Sequence, residues 1–173
     1  MDYTVLSIER EEHLAIITLN RPERLNALSP DLTRELNYAL DEVDKEFPQI
    51  RAVILTGTGR GFCSGADVTG FPGASGVTVA NSVARPYDPM TSIPPLAPHI
   101  RRIAQPVIAA VNGVATGAGL ALSLACDIRV ASTEARFAAI FIKRSLVPDT
   151  GSSVSLPDLV GYGIAAEIGI AHV

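Results

Sequence analysis

The chain has 173 residues, 47% hydrophobic and 18% charged, which supplies apolar side chain for one sizeable core and too little charge for a disordered chain. Its net charge of −4 and isoelectric point near 5.3 argue against a nucleic-acid-binding face; basic residues cluster no more densely than in a pair such as Arg101–Arg102. Two cysteines (Cys63, Cys126) suggest no disulfide framework, and three histidines (His13, His99, His172) match no metal-ligand spacing.

The opening MDYTVLSIEREEH is acidic and lacks the apolar stretch of a signal peptide, so a cytoplasmic protein is expected. TVLSIEREEHLAIITLN reads as a hairpin, with strands Thr4–Ile8 and Leu14–Leu19 and the charged residues in the turn. A polar loop, NRPERLNALS, ends in Ser29–Pro30, a capping hydroxyl followed by proline at the first helical position. Leu32, Leu36, Ala39, Leu40, Val43 and Phe47 then recur at helical spacing up to Pro48. Ala52–Thr56 is a short apolar run that reads as a buried strand, followed by GTGRGFCSGAD. Residues 70–98 hold six prolines and three glycines and read as a long variable loop or lid. His99 falls just beyond it, on a helix surface. Val107–Val111 is a second apolar strand, NGVATGAG opens a helix to about Ala125, and Ile128–Ala131 is a further strand. The apolar run Val114–Ala125 is too short to cross a bilayer, so no membrane partner is expected. Strand, glycine-rich turn and helix occur twice, which implies a parallel α/β arrangement. The mean hydropathy of +0.28 is high for a self-sufficient domain and points to apolar surface covered by a partner subunit or a further segment.

The two glycine-rich turns match no phosphate-binding fingerprint: neither contains GK[ST] or GxGxxG. GFCSG lacks the GxSxG spacing of a serine nucleophile. Two readings of the small residues Gly117, Ala118 and Gly119 stand side by side. One is tight helix–strand packing. The other is an oxyanion hole, in which unpaired backbone N–H groups at a helix start approach a substrate carbonyl.

Four motifs in order and spacing — ITLNRPERLNALS, AVILTGTGRGFCSGADV, IAAVNGVATGAGLALSLACDIRVAS and the stretch from FAAIF to LPDLVG — closely resemble the crotonase (enoyl-CoA hydratase/isomerase) superfamily. The resemblance covers residues 1–173 as one domain apart from the 70–98 insert. It implies an α/β spiral of repeated ββα turns, with the C-terminal helical region largely missing from this chain. It further implies an acyl-CoA substrate, a homo-trimer or hexamer, and no metal or separate cofactor, since coenzyme A belongs to the substrate. By motif, the oxyanion amides are those of Ala66 and Ala118. Arg24 and Leu25 match the stretch along the CoA phosphates and pantetheine, and Ala66, Asp67 and Val68 the turn beside the adenine. Gly117 and Phe141 belong to the substrate pocket. Asp67 and Asp127 also read as structural, a helix-start carboxylate and a turn residue.

Hydratases of this superfamily use two glutamates; their positions are Ala121 and Phe141 here, and neither side chain transfers protons. The resemblance places an acid of the isomerase branches at Asp149, with a pKa lifted by an apolar wall that includes Phe141. A double-bond isomerase is therefore expected over a hydratase. The alternatives are a non-catalytic acyl-CoA binder, a dehalogenase with Asp149 as nucleophile, and a Clp-type serine peptidase using Ser64 or Ser123.

Overall fold

The computed structural model describes residues 2–70 and 87–170. Residues 71–86 of the proline-rich loop lie outside the described residues, and so does His172.

β1 (Leu6–Glu11) and β2 (Leu14–Leu19) pair antiparallel, with Glu11 opposite Leu14. The turn is thus Glu12–His13, and the charged Glu9–Arg10–Glu11 stretch, expected as the turn, is strand. β1 is an edge strand, where outward charges are at home. Its Arg10 reaches Glu42 at 2.6 Å and Glu46 at 2.7 Å on the neighbouring helix. That helix, α1 (Pro30–Lys45), starts as expected: Ser29 is extended and its hydroxyl accepts from Leu32 N at 3.2 Å. Leu32, Leu36, Ala39, Leu40 and Val43 are buried along one stripe. Phe47, assigned to that stripe from its spacing, lies past the helix end and is 53% exposed. It precedes Pro48, whose ring disfavours helical backbone for the residue before it.

The chain then alternates between two sheets. β3 (Ala52–Gly57) joins the larger sheet and β4 (Gly61–Cys63) the smaller. After α2 (Leu96–Ile100) the step repeats with β5 (Val107–Val111) and β6 (Val114–Thr116), and after α3 (Ala118–Ala125) with β7 (Ile128–Ala131) and β8 (Arg136–Ala138). The larger sheet runs β1-β2-β3-β5-β7 and the smaller β4-β6-β8; every pairing except β1–β2 is parallel. This is the expected α/β spiral of strand–strand–helix turns. α4 (Ser152–Val160) and α5 (Tyr162–Ile170) complete the described chain.

β3 and β5, expected to be buried on both faces, bury alternate residues only. Val53 faces Val107 and Leu55 faces Ala109, and these side chains share a core with Ile17, Leu36 and Leu40. One face is buried in the core that includes the α1 stripe, and the residues of the other remain half-buried.

Two polar ties were not legible in sequence. Glu35 of α1 is buried at 3% exposure and accepts from Thr4 N, Thr4 Oγ1 and Val5 N at 2.7–3.1 Å, which fastens the N-terminal segment to the helix. His99, expected on a helix surface, is only 14% exposed: Nδ1 is 2.7 Å from Asn37 Oδ1 and Nε2 is 3.1 Å from Asp41 Oδ1. Asn37 Nδ2 donates to Thr33 O and Met90 O, which turns its oxygen toward His99. α2 lies against α1, and this contact buries the imidazole.

Replacing Glu35 by Ala removes the acceptor for these donors and is expected to lower unfolding stability by about 2 kcal/mol. Urea unfolding checks this, with Glu35→Gln losing less because it keeps one acceptor oxygen.

Candidate functional site

β4 and β6 are parallel neighbours, with Cys63 opposite Ala115, so the turns that leave their C-terminal ends emerge side by side. From β4 the chain enters Ser64-Gly65-Ala66; from β6 it enters Gly117 and the first turn of α3. Thr116 Oγ1 donates to Ser64 O at 2.9 Å, and a Cβ built on Gly65 would stand 3.3 Å from Ala118 N. Gly65 O and Asp67 N both bond to Leu28, at 2.8 and 3.1 Å, which leaves the amide of Ala66 out of that bridge. Among the described residues, the N–H groups of Ala66 and Ala118 donate to no protein acceptor. The Ala118 amide is an unpaired first-turn donor of α3, at its partly positive end.

The small residues of this turn have three different causes. Gly117 adopts φ 53° and ψ −122°, a conformation that glycine takes without steric cost. At Gly119 any Cβ would drive into the Cys63 carbonyl, so here the packing reading holds. Ala118 carries a Cβ and faces a cleft of about 320 Å3.

Arg24, Ala66, Asp67, Val68, Gly117, Ala118, Phe141 and Asp149 all line this cleft. Leu25 does not. Its backbone is left-handed at φ 49°, and its carbonyl accepts from Ser64 N at 2.9 Å, so it ties the RPER loop to the Ser64 turn. Arg144, Ile93 and Leu146 also line the cleft and were not singled out from sequence. For Arg144 the only signal was the Lys143–Arg144 pair. A larger apolar cavity of about 630 Å3 lies among α3, α4 and α5 and shares Phe141 and Leu146 with the cleft.

Asp67 combines both of its sequence readings. It lines the cleft, but its oxygens are engaged: Oδ1 accepts from Thr69 Oγ1 at 2.6 Å, and Oδ2 is 3.0 Å from Arg21 Nη2. The Thr69 hydroxyl and then the Arg21 guanidinium hold its carboxyl below the usual range. Asp127 accepts from Val107 N at 2.8 Å and anchors the start of β5. Phe141 is buried and opens the 3-10 turn Ile142–Arg144; Ala121 is buried inside α3.

Asp149 is exposed, contrary to the apolar wall expected around it. Phe141 and Leu146 border the same cleft, yet the whole segment 142–149 faces solvent. The Ser64 hydroxyl donates to Arg24 O at 3.3 Å, and buried Ser123 donates to Leu120 O at 2.7 Å. No histidine lines the cleft among the described residues, so the peptidase arrangement is unsupported. No group of three or more His, Cys, Asp or Glu among the described residues could hold a metal, and no helix there is long and apolar enough to cross a membrane.

Two outcomes follow from this geometry. Gly119→Ala is expected to destabilise by about 3 kcal/mol through overpacking against β4, measured by denaturant unfolding. For Asp67, the folded carboxyl titrates below the unfolded one. Its contribution is therefore present above the unfolded value of about 3.9 and is lost as pH falls through the folded value. The stability gap between wild type and Asp67→Asn should be widest near neutral pH and close in strong acid; unfolding curves at both pH values check this.

A family model described as enoyl-CoA hydratase/isomerase matches residues 9–171. The chain is 43% identical over 171 residues to a probable enoyl-CoA hydratase of Mycobacterium leprae, covering 96% of this chain and 56% of that protein. It is 39% identical over 154 residues to the 1,2-epoxyphenylacetyl-CoA isomerase of Escherichia coli, covering 87% of this chain and 56% of that one. The crystal structure of an enoyl-CoA hydratase from Bacillus anthracis superposes with a TM-score of 0.82 at 36% identity, covering 96% of this chain and 62% of the other. The chain thus spans less than two thirds of the length of these relatives. With the fold, the paired turns and the family match in agreement, the chain belongs to the enoyl-CoA hydratase/isomerase family of crotonase-fold proteins.

Proposed function

We propose that the protein binds an acyl-CoA thioester and moves its double bond, with Asp149 carrying the proton. The observation that carries this reading is the meeting, in one cleft, of the Ala66 and Ala118 amides, which have no acceptor among the described residues, with the Asp149 carboxylate, which has no cationic partner among them. In the proposed reaction the Asp149 carboxylate takes a proton from the carbon next to the double bond. In a 3-enoyl thioester that carbon is C2: the C–H electrons form a C1=C2 bond and the carbonyl π electrons move onto the thioester oxygen, while the C3=C4 bond is kept in the dienolate. The two N–H groups hold that dienolate oxygen, each donor worth about 3 kcal/mol in the transition state. The proton returns from Asp149 at the far carbon, the electrons flow back, and the thioester is regenerated with its double bond shifted. Atoms and charge balance without water, metal or a cofactor beyond the substrate's own coenzyme A.

Ala121 and Phe141 stand where the resemblance puts the glutamates of a hydratase, which disfavours water addition. Arg24 and Arg144 at the cleft favour an anionic group such as the CoA phosphates. The apolar cavity beyond Phe141 is the proposed room for the acyl group. The names of the relatives are divided: the M. leprae protein is named a hydratase and the E. coli protein an isomerase. A homo-trimer or hexamer and a cytoplasmic location belong to the same proposal. Exposed Ile128, Val130 and Phe137 on β7 and β8 are apolar surface suited to a subunit contact.

A second reading, a non-catalytic acyl-CoA binder, is favoured by one observation, the exposure of Asp149. Incubation with a 3-enoyl-CoA in deuterated water separates the two. The isomerase yields the 2-enoyl-CoA with deuterium incorporated and no water added, and Asp149→Asn lowers kcat by about a hundredfold or more. Binding of the thioester with no exchange and no isomer formed overturns the isomerase in favour of the binder.

A further inference from the structure

We infer that Thr150 is the positioning residue for Asp149, an inference that rests on Asp149 being the proton carrier. Thr150 is β-branched yet sits at φ 51°, in the left-handed region that such residues rarely adopt. Gly151 follows at φ 75°, and the two residues together turn the chain into α4. Backbone geometry alone would be met more easily by a second glycine. A strained side chain retained at the edge of a candidate site needs a role that the side chain performs.

The contacts supply one. Thr150 is buried at 3% exposure, and its hydroxyl donates to Asp149 Oδ1 at 3.0 Å. The main chain of Asp149 is held separately: its carbonyl accepts from Ser152 N at 2.9 Å and from Ser152 Oγ at 2.6 Å. Ser152 therefore sets the backbone, and the Thr150 hydroxyl sets the carboxylate. Among the described residues, Oδ1 has this one donor and Oδ2 has none. One oxygen is tethered, the other has no donor among the described residues, and Asp149 lines the cleft. This matters because Asp149 is exposed, and an exposed carboxylate without a tether samples its rotamers freely. A buried hydroxyl next to it supplies the preorganisation that neighbouring side chains do not.

Three variants test the assignment in the deuterium-exchange and isomerisation assay. Thr150→Val keeps the shape and loses the donor; kcat should fall about tenfold with KM unchanged. Thr150→Ser keeps the donor and should retain kcat within about twofold. Thr150→Gly suits the left-handed backbone, removes the hydroxyl and should lose kcat as Val does. Wild-type kcat in Val and Gly overturns the inference, and so does a loss in Ser as large as in Val. Asp149→Asn, run in parallel, separates the two levels. If it keeps full turnover, the proposed function fails and the positioning role falls with it; if it is inactive while Thr150→Val is wild type, the positioning role alone fails. Should the protein turn over no enoyl-CoA, the 13C signal of the Asp149 carboxyl reads the contact directly. A signal moved in Thr150→Val but not in Thr150→Ser supports the tether, and a signal unmoved in both overturns it.

Discussion

The arrangement depends on one close approach, that of the first turn of α3 to the backbone of β4. Gly119 has no Cβ, so the Cys63 carbonyl can lie against it. That contact sets how near the turn after β6 comes to the turn after β4. Parallel pairing of the two strands aligns their C-terminal ends, and the Thr116–Ser64 hydrogen bond closes the remaining gap. Without this approach the turns that carry Ala66 and Ala118 would not line the same cleft.

A layer of polar ties stiffens the site from behind. Arg21 joins Asp67 and also donates to Ala27 O at 2.6 Å, which binds the RPER loop to the turn that carries Ala66. Leu25 O takes the amide of Ser64, and Leu28 brackets Ala66 through Gly65 O and Asp67 N. The effect is that the neighbours of Ala66 are bonded while its own amide has no acceptor among the described residues. This is how backbone preorganisation works: the donor stays in place because the groups around it are already satisfied. Beneath this layer, the apolar stripe of α1 shares one core with the buried residues of β2, β3 and β5.

The acid side of the cleft is built differently. The amides sit on strand ends and a helix start, whereas Asp149 follows an exposed segment and rests on a two-residue left-handed turn. Enclosure is correspondingly uneven. Exposed Leu146, Val147 and Tyr162 border the larger apolar cavity beside it, and the chain spans 56% of the M. leprae and E. coli relatives. The high mean hydropathy of the sequence thus has a location: apolar side chains left open along the last two helices and on the edge strands β7 and β8.

The sequence by itself determined the elements whose signals are local. Ser29–Pro30 and the stripe from Leu32 to Val43 specify α1, and the apolar runs at Ala52, Val107 and Ile128 specify three strands of the larger sheet. The four motifs were enough to name the family and to pick out half of the residues that line the cleft. Only the tertiary structure decided the rest. β4, β6 and β8 are three residues each, too short to show an alternation, and they exist because they pair with one another. Nothing local marks Glu35, and His99 reads as a helix-surface residue; their partners lie about thirty and sixty positions away and are brought close by packing. Small residues in the TGAG turn supported two readings, and the neighbouring carbonyl at Cys63 assigned Gly119 to packing. The exposure of Asp149 was equally hidden, because burial depends on what the rest of the chain places beside a residue. Caps, turns and periodicity act over a few positions and can be read from the chain, whereas contact, enclosure and tethering arise only when distant segments meet.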